Sequence, residues 1–475
     1  MDLTNYLSKN QLLGEKHKIQ KVFFFRVCGT GMGTAAILLK NAGYDVEGYD
    51  LEFSPPMSTY LESTNIPLHT EYTTELLQKF DLIVTGNVVR KDCDDAHAIE
   101  ESGVPFASFP STLGALILDD LEVVGIAGTH GKTTTTYLAM QIYEKLGNDP
   151  GYFIGGVLEG RDSGRIGSGK FFIESDEYDS AYFEKVSKFR KYSLNHMILT
   201  SLEFDHADIF QNLDDIIAEF TETLPEISGE IITNNEFSAV KKLYNKNITS
   251  AQWTFYGNKS GVGPIVLETS KQGTKFQLNL DKEYIFDTNL TGYHNILNLS
   301  SVIIFAMKNR FSFDKISDAV KNLKMVKRRQ ENRGIYKGSI IIDDFAHHPR
   351  AVEMTIEAIK QKYPDKKIIT FMEPRSATAR SNIFQNEFAA SLKQADKVIV
   401  VQPIPTTVKF ANDLDTEKLV NDIEKMNIPA KIARELPELL IEIENNVGIE
   451  NLLLFLSNAQ CLGLWKSEFT NNIEN

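Results

Sequence analysis

The sequence predicts an α/β protein of three domains built on largely parallel sheets. Its 475 residues suggest about three domains, at roughly 150 residues per domain. Short apolar runs alternate with helical stretches along the chain, which favours parallel sheets covered by helices on both faces. New strand–turn–helix units begin after the acidic pair 119–120 and after the basic stretch 324–329. We therefore expect domains at residues 1–120, 121–327 and 328–475.

The composition is that of an ordinary globular chain with excess negative charge. Apolar residues make up 42% and charged residues 24%, and 50 basic against 64 acidic residues give a formal charge of −14. This excludes a disordered or collagen-like protein. It also argues against a nucleic-acid partner, because nucleic-acid affinity depends on a basic surface. An acidic protein binds an anionic small molecule by concentrating cations and N–H groups in local pockets.

The sequence also predicts a compartment. No apolar run approaches the ~20 residues of a membrane span, so we expect no membrane partner. The first residues are polar and lack the apolar core of a secretory signal. Cys28, Cys93 and Cys461 are widely separated and form no C-x-x-C pair, which is typical of reduced thiols. We expect a cytoplasmic protein.

A glycine-rich turn follows the first predicted strand, residues 22–27. A helical stretch at 34–41 comes next, and a second strand at 44–50 ends in an acid. The turn and the end of a neighbouring strand supply the candidate nucleotide-binding residues Gly29, Thr30, Gly31, Met32, Gly33 and Asn87. The pattern resembles a dinucleotide fingerprint, but Thr34 stands where the third glycine belongs. The pattern favours binding of a nucleotide diphosphate at a helix N-terminus. An NAD-dependent dehydrogenase is the alternative interpretation.

The strongest signal is a second glycine-rich turn, between a strand at 123–127 and a helix at 134–146. We call it the phosphate loop, and its residues are Gly128, Thr129, His130, Gly131, Lys132, Thr133 and Thr134. Exposed N–H groups and the helix dipole make such a turn an anion site. Lys132 would reach the β and γ phosphates, and Thr133 would bind Mg²⁺. Ile126 replaces the first glycine of the strict G-x-x-x-x-G-K-[ST] pattern, so a plain strand–turn–helix junction is the alternative.

Carboxylates follow two further predicted strands. The strand at 171–173 leads into the acidic segment 174–179, which is unfavourable unless a cation lies nearby. One or two of these carboxylates would suffice for Mg²⁺. The strand at 197–202 leads to His206, which stands among acids where open α/β sheets place their sites. The alternatives are a solvated acidic turn and a surface histidine.

The last third of the chain adds three motifs. Residues 292–298 begin a helix with a His-Asn pair. The acids 343–344 end a strand and are better ligand candidates than the paired histidines 347–348, because adjacent side chains of an extended segment point in opposite directions. Arg375 follows a strand at 368–371 and offers a planar fork for a carboxylate or phosphate. A surface arginine is the alternative.

Taken in order, these motifs are similar to those of the Mur ligase family over nearly the whole chain. The matching segments are GTHGKTTT (128–135), ESDEYD (174–179), EFDHADIF (203–210), GYHNILN (292–298) and DDFAHHP (343–349). That family uses ATP to join an amino acid or peptide to a UDP-muramoyl acceptor. The resemblance implies a Rossmann-like first domain that binds the UDP sugar and a central P-loop ATPase-type domain with a parallel or mixed sheet. It implies a Rossmann-like third domain for the amino acid or peptide.

The resemblance also implies roles for individual residues, with ATP and Mg²⁺ as cofactors. The catalytic residues would be Lys132, Glu174, His206 and Arg375. The metal ligands would be Thr133, Glu174 and His206. In addition to the phosphate loop, three residues would contact the nucleotide: Asn295 at the adenine, Arg329 and Asp343. The UDP moiety would lie on residues 29–33 and Asn87, and the incoming peptide on Arg375 and Ser376.

Within the family, the implied substrates are UDP-N-acetylmuramate and either a murein tripeptide or L-alanine, on a monomer or homodimer. Four features favour the tripeptide L-Ala-γ-D-Glu-meso-diaminopimelate: the first turn (27–33), the segment 54–59, Phe345 and the segment 373–376. Two departures leave the choice open. Thr200 and Ser201 replace asparagines, and the loop 457–463 lacks the usual glycines.

Overall fold

A computed structural model describes residues 1–55, 57–156, 158, 160–403 and 413–474. Pro56, in the segment that favours the tripeptide, therefore lies outside the described residues. The chain divides into two compact units, each discontinuous in sequence. The first unit comprises Met1–Phe204, Asn212–Gly263 and Asn298–Ala319, and the second comprises Asp205–Gln211, Pro264–Leu297 and Val320–Asn475. In the described part of the chain, no helix combines the length and apolar character that crossing a bilayer requires.

A five-stranded parallel sheet begins the first unit. Its strands are β1 Lys21–Phe25, β2 Asp45–Tyr49, β3 Leu68–His69, β4 Leu82–Thr85 and β5 Phe106–Ser108. Their order is β3-β2-β1-β4-β5. Helices cover it: α1 Lys9–Glu15, α2 Thr30–Asn41, α3 Met57–Ser63, α4 Thr74–Leu77, α5 Asp94–Glu101 and α6 Phe109–Leu116. The inner strands are apolar at successive positions because both faces are buried.

The predicted first turn is wrong in its extent, because α2 begins at Thr30 and not at Thr34. Gly31 and Gly33 are helical residues, and only Gly29 precedes the helix as its N-cap. A Cβ atom at Gly33 would lie 2.3 Å from the sulfur of Met57. This glycine therefore lets α3 pack closely against α2. Close packing, and not a turn, explains why a glycine stands at this position within the helix.

The second sheet of the first unit has seven strands and contains the strand that leads into the phosphate loop. Its order is β14-β13-β12-β6-β9-β7-β8, and every pair but β7–β8 is parallel. The strands of this region are β6 Val123–Ala127, β7 Gly151–Phe153, β8 Gly164–Arg165, β9 Phe171–Ser175, β10 Asp179–Ala181, β11 Glu184–Ser187, β12 His196–Leu199, β13 Glu230–Asn234 and β14 Gln252–Tyr256, of which β10 and β11 form a separate hairpin. The helices are α7 Lys132–Lys145, α8 Leu213–Thr223, α9 Ser238–Tyr244, α10 Tyr293–Lys308 and α11 Phe313–Ala319.

A buried carboxylate at the start of β11 binds the beginning of the chain to this region. Glu184 is 5% exposed and pairs with Lys191 at 2.8 Å. It accepts hydrogen bonds from the hydroxyls of Tyr6 (2.8 Å), Ser111 (2.9 Å) and Ser108. Burial alone would raise the pKa of Glu184, but Lys191 and Ser108 reverse this and hold the pKa below its usual value. Its charge therefore stabilises the fold.

We expect Glu184→Gln to lower the free energy of unfolding at pH 7 by about 2–4 kcal/mol, because it breaks a buried ion pair. The pKa of Glu184 is lower in the folded protein than in the unfolded chain. Its charge therefore contributes fully to stability at pH values above the pKa of the unfolded chain. That contribution is lost as the pH falls through the pKa of the folded protein. The difference between variant and parent should therefore shrink below about pH 4. Urea unfolding at pH 7 and pH 3.5 measures it, with the exposed Glu101→Gln as control. An equal difference at both pH values would contradict this account.

The second unit contains an antiparallel sheet that the sequence analysis did not predict. Its three strands are β15 Ile265–Ser270, β16 Gly273–Asn279 and β17 Glu283–Thr288. On one face, Phe276 pairs with Phe286 and Leu278 with Tyr284, and these side chains are buried. The alternation of apolar and polar residues in β16 and β17 is the local signal for such a sheet.

A six-stranded sheet forms the rest of the second unit, in the order β18-β19-β23-β20-β21-β22. Only the β18–β19 pair is antiparallel. The strands are β18 Glu331–Tyr336, β19 Ser339–Asp344, β20 Lys367–Glu373, β21 Lys397–Val401, β22 Ala430–Ala433 and β23 Asn451–Ser457. The helices are α12 Pro349–Lys362, α13 Ala377–Arg380, α14 Gln385–Ser391, α15 Thr416–Glu424, α16 Leu436–Glu444 and α17 Glu468–Asn471. The predicted mixed α/β architecture with parallel sheets is confirmed.

Candidate active site

The phosphate loop lies between the carboxyl end of β6 and the first turn of α7. Lys132 and Thr133 belong to that first turn, two residues earlier than the predicted helix start. Gly128 and Gly131 have φ of +123° and +84°, which only glycine adopts readily. A Cβ atom at Gly131 would lie 2.6 Å from the amide oxygen of Asn298. The backbone therefore closes tightly and points N–H groups out from the helix N-terminus.

Lys132 is held at the mouth of this loop by backbone and carboxylate oxygens. Its ammonium donates to the carbonyl of Gly128 at 2.7 Å and to Glu177 at 2.8 Å. Asp176 lies 3.8 Å away. Burial lowers the pKa of Lys132, but Glu177 and Asp176 outweigh burial and hold the pKa above its usual value. The lysine is a permanent cation in an otherwise acidic protein.

Glu174 stands at the same edge of the sheet. Strands β6 and β9 pair in parallel with Ile126 opposite Glu174, so the carboxylate stands beside the strand that leads into the loop. It accepts a hydrogen bond from the N–H of Gly155 at 2.9 Å. With the hydroxyl of Thr133 on α7, this edge offers hard oxygen donors, which fit Mg²⁺.

The first nucleotide-binding candidate is the N-terminus of α2. Met32 is buried, and a Cβ atom at Gly86 would lie 3.0 Å from its sulfur. The predicted contact residue Asn87 follows Gly86 and is half-buried. Asp50, the acid that would hold a ribose in a dinucleotide site, instead accepts from the N–H of Cys28 at 2.9 Å. Its other oxygen lies 3.7 Å from Arg26. A carboxylate satisfied in this way does not favour the dehydrogenase alternative.

In the second unit, His206 belongs to the short segment 205–211. Its φ of +54° is unusual for a residue with a side chain. The N–H of Ala207 donates to the hydroxyl of Thr378 at 3.2 Å, which holds the segment. Burial raises the pKa of the preceding Asp205, but His206, His347 and His348 reverse this and keep it well below its usual value.

The predicted adenine contact, Asn295, is buried in the first turn of α10. Its amide nitrogen donates to the carbonyl of Thr291 at 2.9 Å, so this side chain shapes its own loop. The neighbouring His294 lies 3.0 Å from the amide of Gln330. The amide of Asn295 thus already has one backbone partner, and its contact with adenine stays a prediction.

Asp343 is buried at the end of β19. It pairs with the guanidinium of Arg328 at 3.2 Å. Burial raises the pKa of Asp343 to about 6, although Arg328 opposes the shift. Arg329 instead stacks over the ring of Phe345, with its guanidinium carbon 4.9 Å from the ring centre.

Arg375 and Ser376 follow β20, and Arg375 is half-buried. Ser376 caps α13 by accepting from the N–H of Ala379 at 3.1 Å. The loop 457–463 lies beside the end of β20, because Glu373 accepts from Ser457 (2.5 Å) and from the N–H of Cys461 (2.9 Å). In this loop Cys461 and Leu462 have φ of +45° and +54°. Leu462, which replaces one of the usual glycines, thus has a backbone conformation that favours glycine.

Three residues of these sites were not predicted. Glu177 is the buried partner of Lys132, Asn298 packs against Gly131, and Arg328 is the partner of Asp343. Each stands within or beside a motif, one to three residues from a predicted position. The motifs therefore indicated the neighbourhood of these residues. Which of several adjacent side chains turns inward is decided by packing, which the sequence pattern does not show.

Comparisons with known proteins agree with this architecture. Three family models match the chain: "Mur ligase family, catalytic domain" at residues 21–120, "Mur ligase middle domain" at 126–306, and "Mur ligase, glutamate ligase domain" at 328–457. The chain is 35% identical to the UDP-N-acetylmuramate--L-alanyl-gamma-D-glutamyl-meso-2,6-diaminoheptandioate ligase of Escherichia coli (strain K12) over 391 residues. That match covers 81% of this chain and 85% of the relative.

One further relative and one solved structure are also similar to this chain. The UDP-N-acetylmuramate--L-alanine ligase of Streptococcus mutans serotype c is 30% identical over 425 residues, covering 88% of this chain and 89% of its own. The crystal structure of a murein peptide ligase from Psychrobacter arcticus 273-4 is 27% identical and superposes with a TM-score of 0.70, covering 96% of this chain and 100% of its own. The family predicted from the motifs is confirmed: this chain belongs to the Mur ligases, ATP-dependent enzymes that form amide bonds.

Proposed function

We propose that this chain joins the tripeptide L-Ala-γ-D-Glu-meso-diaminopimelate to the carboxylate of UDP-N-acetylmuramate, with ATP giving ADP and phosphate. The observation that carries the proposal is the charged Lys132 at the mouth of a phosphate loop, in a member of the Mur ligase family. The tripeptide is favoured over L-alanine because the relative named for the tripeptide is 35% identical, against 30% for the S. mutans alanine ligase. We propose a cytoplasmic monomer or homodimer.

The reaction needs ATP because a carboxylate is a poor electrophile and its oxide is a poor leaving group. Phosphorylation by ATP turns the muramoyl carboxylate into an acyl phosphate, from which an amine displaces phosphate. The barrier lies in bringing two anions together, so the site must offset their repulsion and hold them in line. In our proposal Lys132 neutralises charge on the β and γ phosphates, and the N–H groups at the start of α7 bind the phosphate oxygens.

We propose that Mg²⁺ is held by Thr133, Glu174 and His206. The hydroxyl of Thr133 on α7 and the carboxylate of Glu174 on β9 are oxygen donors of the kind Mg²⁺ prefers. When bound, the ion would neutralise phosphate charge as the carboxylate approaches. Gly155, which donates to Glu174, orients that carboxylate.

The remaining contacts follow a division into three domains at residues 1–120, 121–327 and 328–475. We place the UDP moiety on residues 29–33 and Asn87 of the first domain. ATP lies on the phosphate loop of the second domain, with further contacts from Asn295, Arg329 and Asp343. The incoming peptide lies on Arg375 and Ser376 of the third domain, where a guanidinium matches a peptide carboxylate.

The proposal is tested by measuring phosphate release from ATP with UDP-N-acetylmuramate and either the tripeptide or L-alanine, in parallel. We expect the kcat/KM for the tripeptide to exceed that for L-alanine by more than 100-fold. Omitting UDP-N-acetylmuramate should abolish release in both arms. Faster turnover with L-alanine would overturn the choice of amine in favour of the alanine ligase. No release with either amine would overturn the proposed reaction.

A further inference from the structure

The phosphate loop is held from one side by the segment 200–203, which follows β12. The predicted strand at 197–202 ends early, at Leu199, and the chain leaves the sheet at this point. A Cβ atom at Gly128 would lie 2.6 Å from both the carbonyl oxygen of Ser201 and the hydroxyl of Thr200. The segment therefore packs against the loop so closely that a side chain larger than that of glycine would not fit at residue 128.

Two buried hydroxyls bond the backbone of the loop at a single residue, His130. Ser201 accepts a hydrogen bond from the N–H of His130 at 2.8 Å. Thr200 donates to the carbonyl of the same residue and lies 3.1 Å from the carbonyl of Ala127. Both side chains are buried, at 5% exposure for Thr200 and 3% for Ser201. Thr200 and Ser201 therefore satisfy both backbone polar groups of His130, its N–H and its carbonyl.

Glu203 and Thr129 complete the contact. The N–H of Glu203 donates to the hydroxyl of Thr129 at 2.9 Å, and that hydroxyl lies 3.1 Å from the carbonyl of Glu203. The carboxylate of Glu203 lies 3.2 Å from the ring of His130. Ala127, Thr129 and His130 thus have polar contacts to the segment through their backbone or side chains, a few residues before Lys132.

From these contacts we propose that the segment 200–203 fixes the shape of the phosphate loop, with Thr200 and Ser201 as positioning residues for the nucleotide. They act through Gly128 and His130. The carbonyl of Gly128 accepts from the ammonium of Lys132, so a shift of the loop moves the cation that faces the phosphates. The inference rests on the proposed function in that ATP binds at this loop.

The test is Thr200→Val, which keeps the side-chain shape and removes the hydroxyl. The carbonyl of His130 then loses its shorter hydrogen bond and keeps only the one from the hydroxyl of Ser201 at 3.3 Å, so the loop is held less firmly in its binding shape. We expect the Kd and the KM for ATP to rise about tenfold, while the KM for UDP-N-acetylmuramate changes less than twofold. Thr200→Ser keeps the hydroxyl and should restore ATP affinity to within about twofold.

The controls separate positioning from a general loss of structure. Thr223→Val removes a buried hydroxyl that donates to the carbonyl of Glu219 within α8 at 3.1 Å, and it should leave the affinity for ATP unchanged. Ser201→Ala removes a second hydroxyl with a smaller change of volume, and it serves as the test if Thr200→Val does not fold. We expect it too to weaken ATP binding about tenfold.

Equilibrium binding of ATP separates this inference from the proposed function. A parent protein that binds ATP without forming the ligation product would overturn the proposed reaction, and the variants would still test the segment. ATP binding by Thr200→Val and Ser201→Ala equal to that of the parent would overturn the inference. So would equal increases in KM for ATP and UDP-N-acetylmuramate. A parent that binds no ATP would overturn both.

Discussion

Replacing Lys132 by alanine should lower ATP-dependent ligation by about 10³-fold or more, because no other group replaces a permanent cation at the phosphates. The same change leaves Glu177, which is 1% exposed, without the ammonium 2.8 Å away. Breaking a buried ion pair by removing one partner costs about 3–5 kcal/mol, so Lys132→Ala should fold with reduced stability. Initial rates of phosphate release and urea unfolding measure the two effects.

A double variant separates catalysis from stability. In Lys132→Ala with Glu177→Gln, both charges of the buried ion pair are removed together, so most of the lost stability should return. Activity should not return, because the cation is still absent. Recovery of both would mean that Lys132 acts only on the fold. Retention of more than about a tenth of the parental rate in Lys132→Ala would refute the assignment of the phosphate loop.

Arg375→Ala should weaken the tripeptide selectively, raising its KM by about 10–100-fold. The expectation follows from the loss of a charge-assisted, bidentate hydrogen-bonding pair with a peptide carboxylate. The KM for UDP-N-acetylmuramate and the affinity for ATP should change less than threefold. Steady-state kinetics with each substrate varied in turn measure the split.

The matched control for Arg375 is Arg434→Ala in the same unit. Arg434 is exposed and pairs with Glu417, so its loss should affect no substrate. Arg375→Lys keeps the charge but not the planar fork, and we expect it to recover only part of the affinity. Equal losses of affinity for peptide and UDP-N-acetylmuramate in Arg375→Ala would contradict a peptide-specific role.

The strand ends and glycine turns were predictable because their signals are local. Strand β6 has the predicted bounds, strand β19 ends at the predicted acids 343–344, and the helix after the His-Asn pair begins within the predicted segment, at Tyr293. An apolar run followed by glycine and a helix former fixes such a junction through backbone geometry and burial. Family membership followed from the order of these junctions along the chain.

The partners of individual side chains could not be predicted in the same way. Four carboxylates lie between residues 174 and 179, and the structure, not the pattern, places Glu177 against Lys132. Similarly, Arg328 and Arg329 are adjacent, and the positive φ of Arg328 accompanies the pairing of its side chain with Asp343. The end of β12 at Leu199 depends on hydrogen bonds to a loop some 70 residues earlier. Long-range packing decides all three.

The antiparallel sheet β15–β17 was missed for a different reason. Its apolar side chains alternate with polar ones, a period typical of strands with one buried face. The predictions followed strand–helix alternation, which has no place for three consecutive strands. The signal was present, but it contradicted the pattern of the rest of the chain.

The transfer of one oxygen atom tests the central claim most directly. If ATP phosphorylates the muramoyl carboxylate, the oxygen that attacks phosphorus later leaves with the phosphate. With both carboxylate oxygens of UDP-N-acetylmuramate labelled with ¹⁸O, mass spectrometry of the released phosphate should therefore find one labelled oxygen per molecule. Unlabelled phosphate from a reaction that forms the amide would contradict activation of the acid at the phosphate loop.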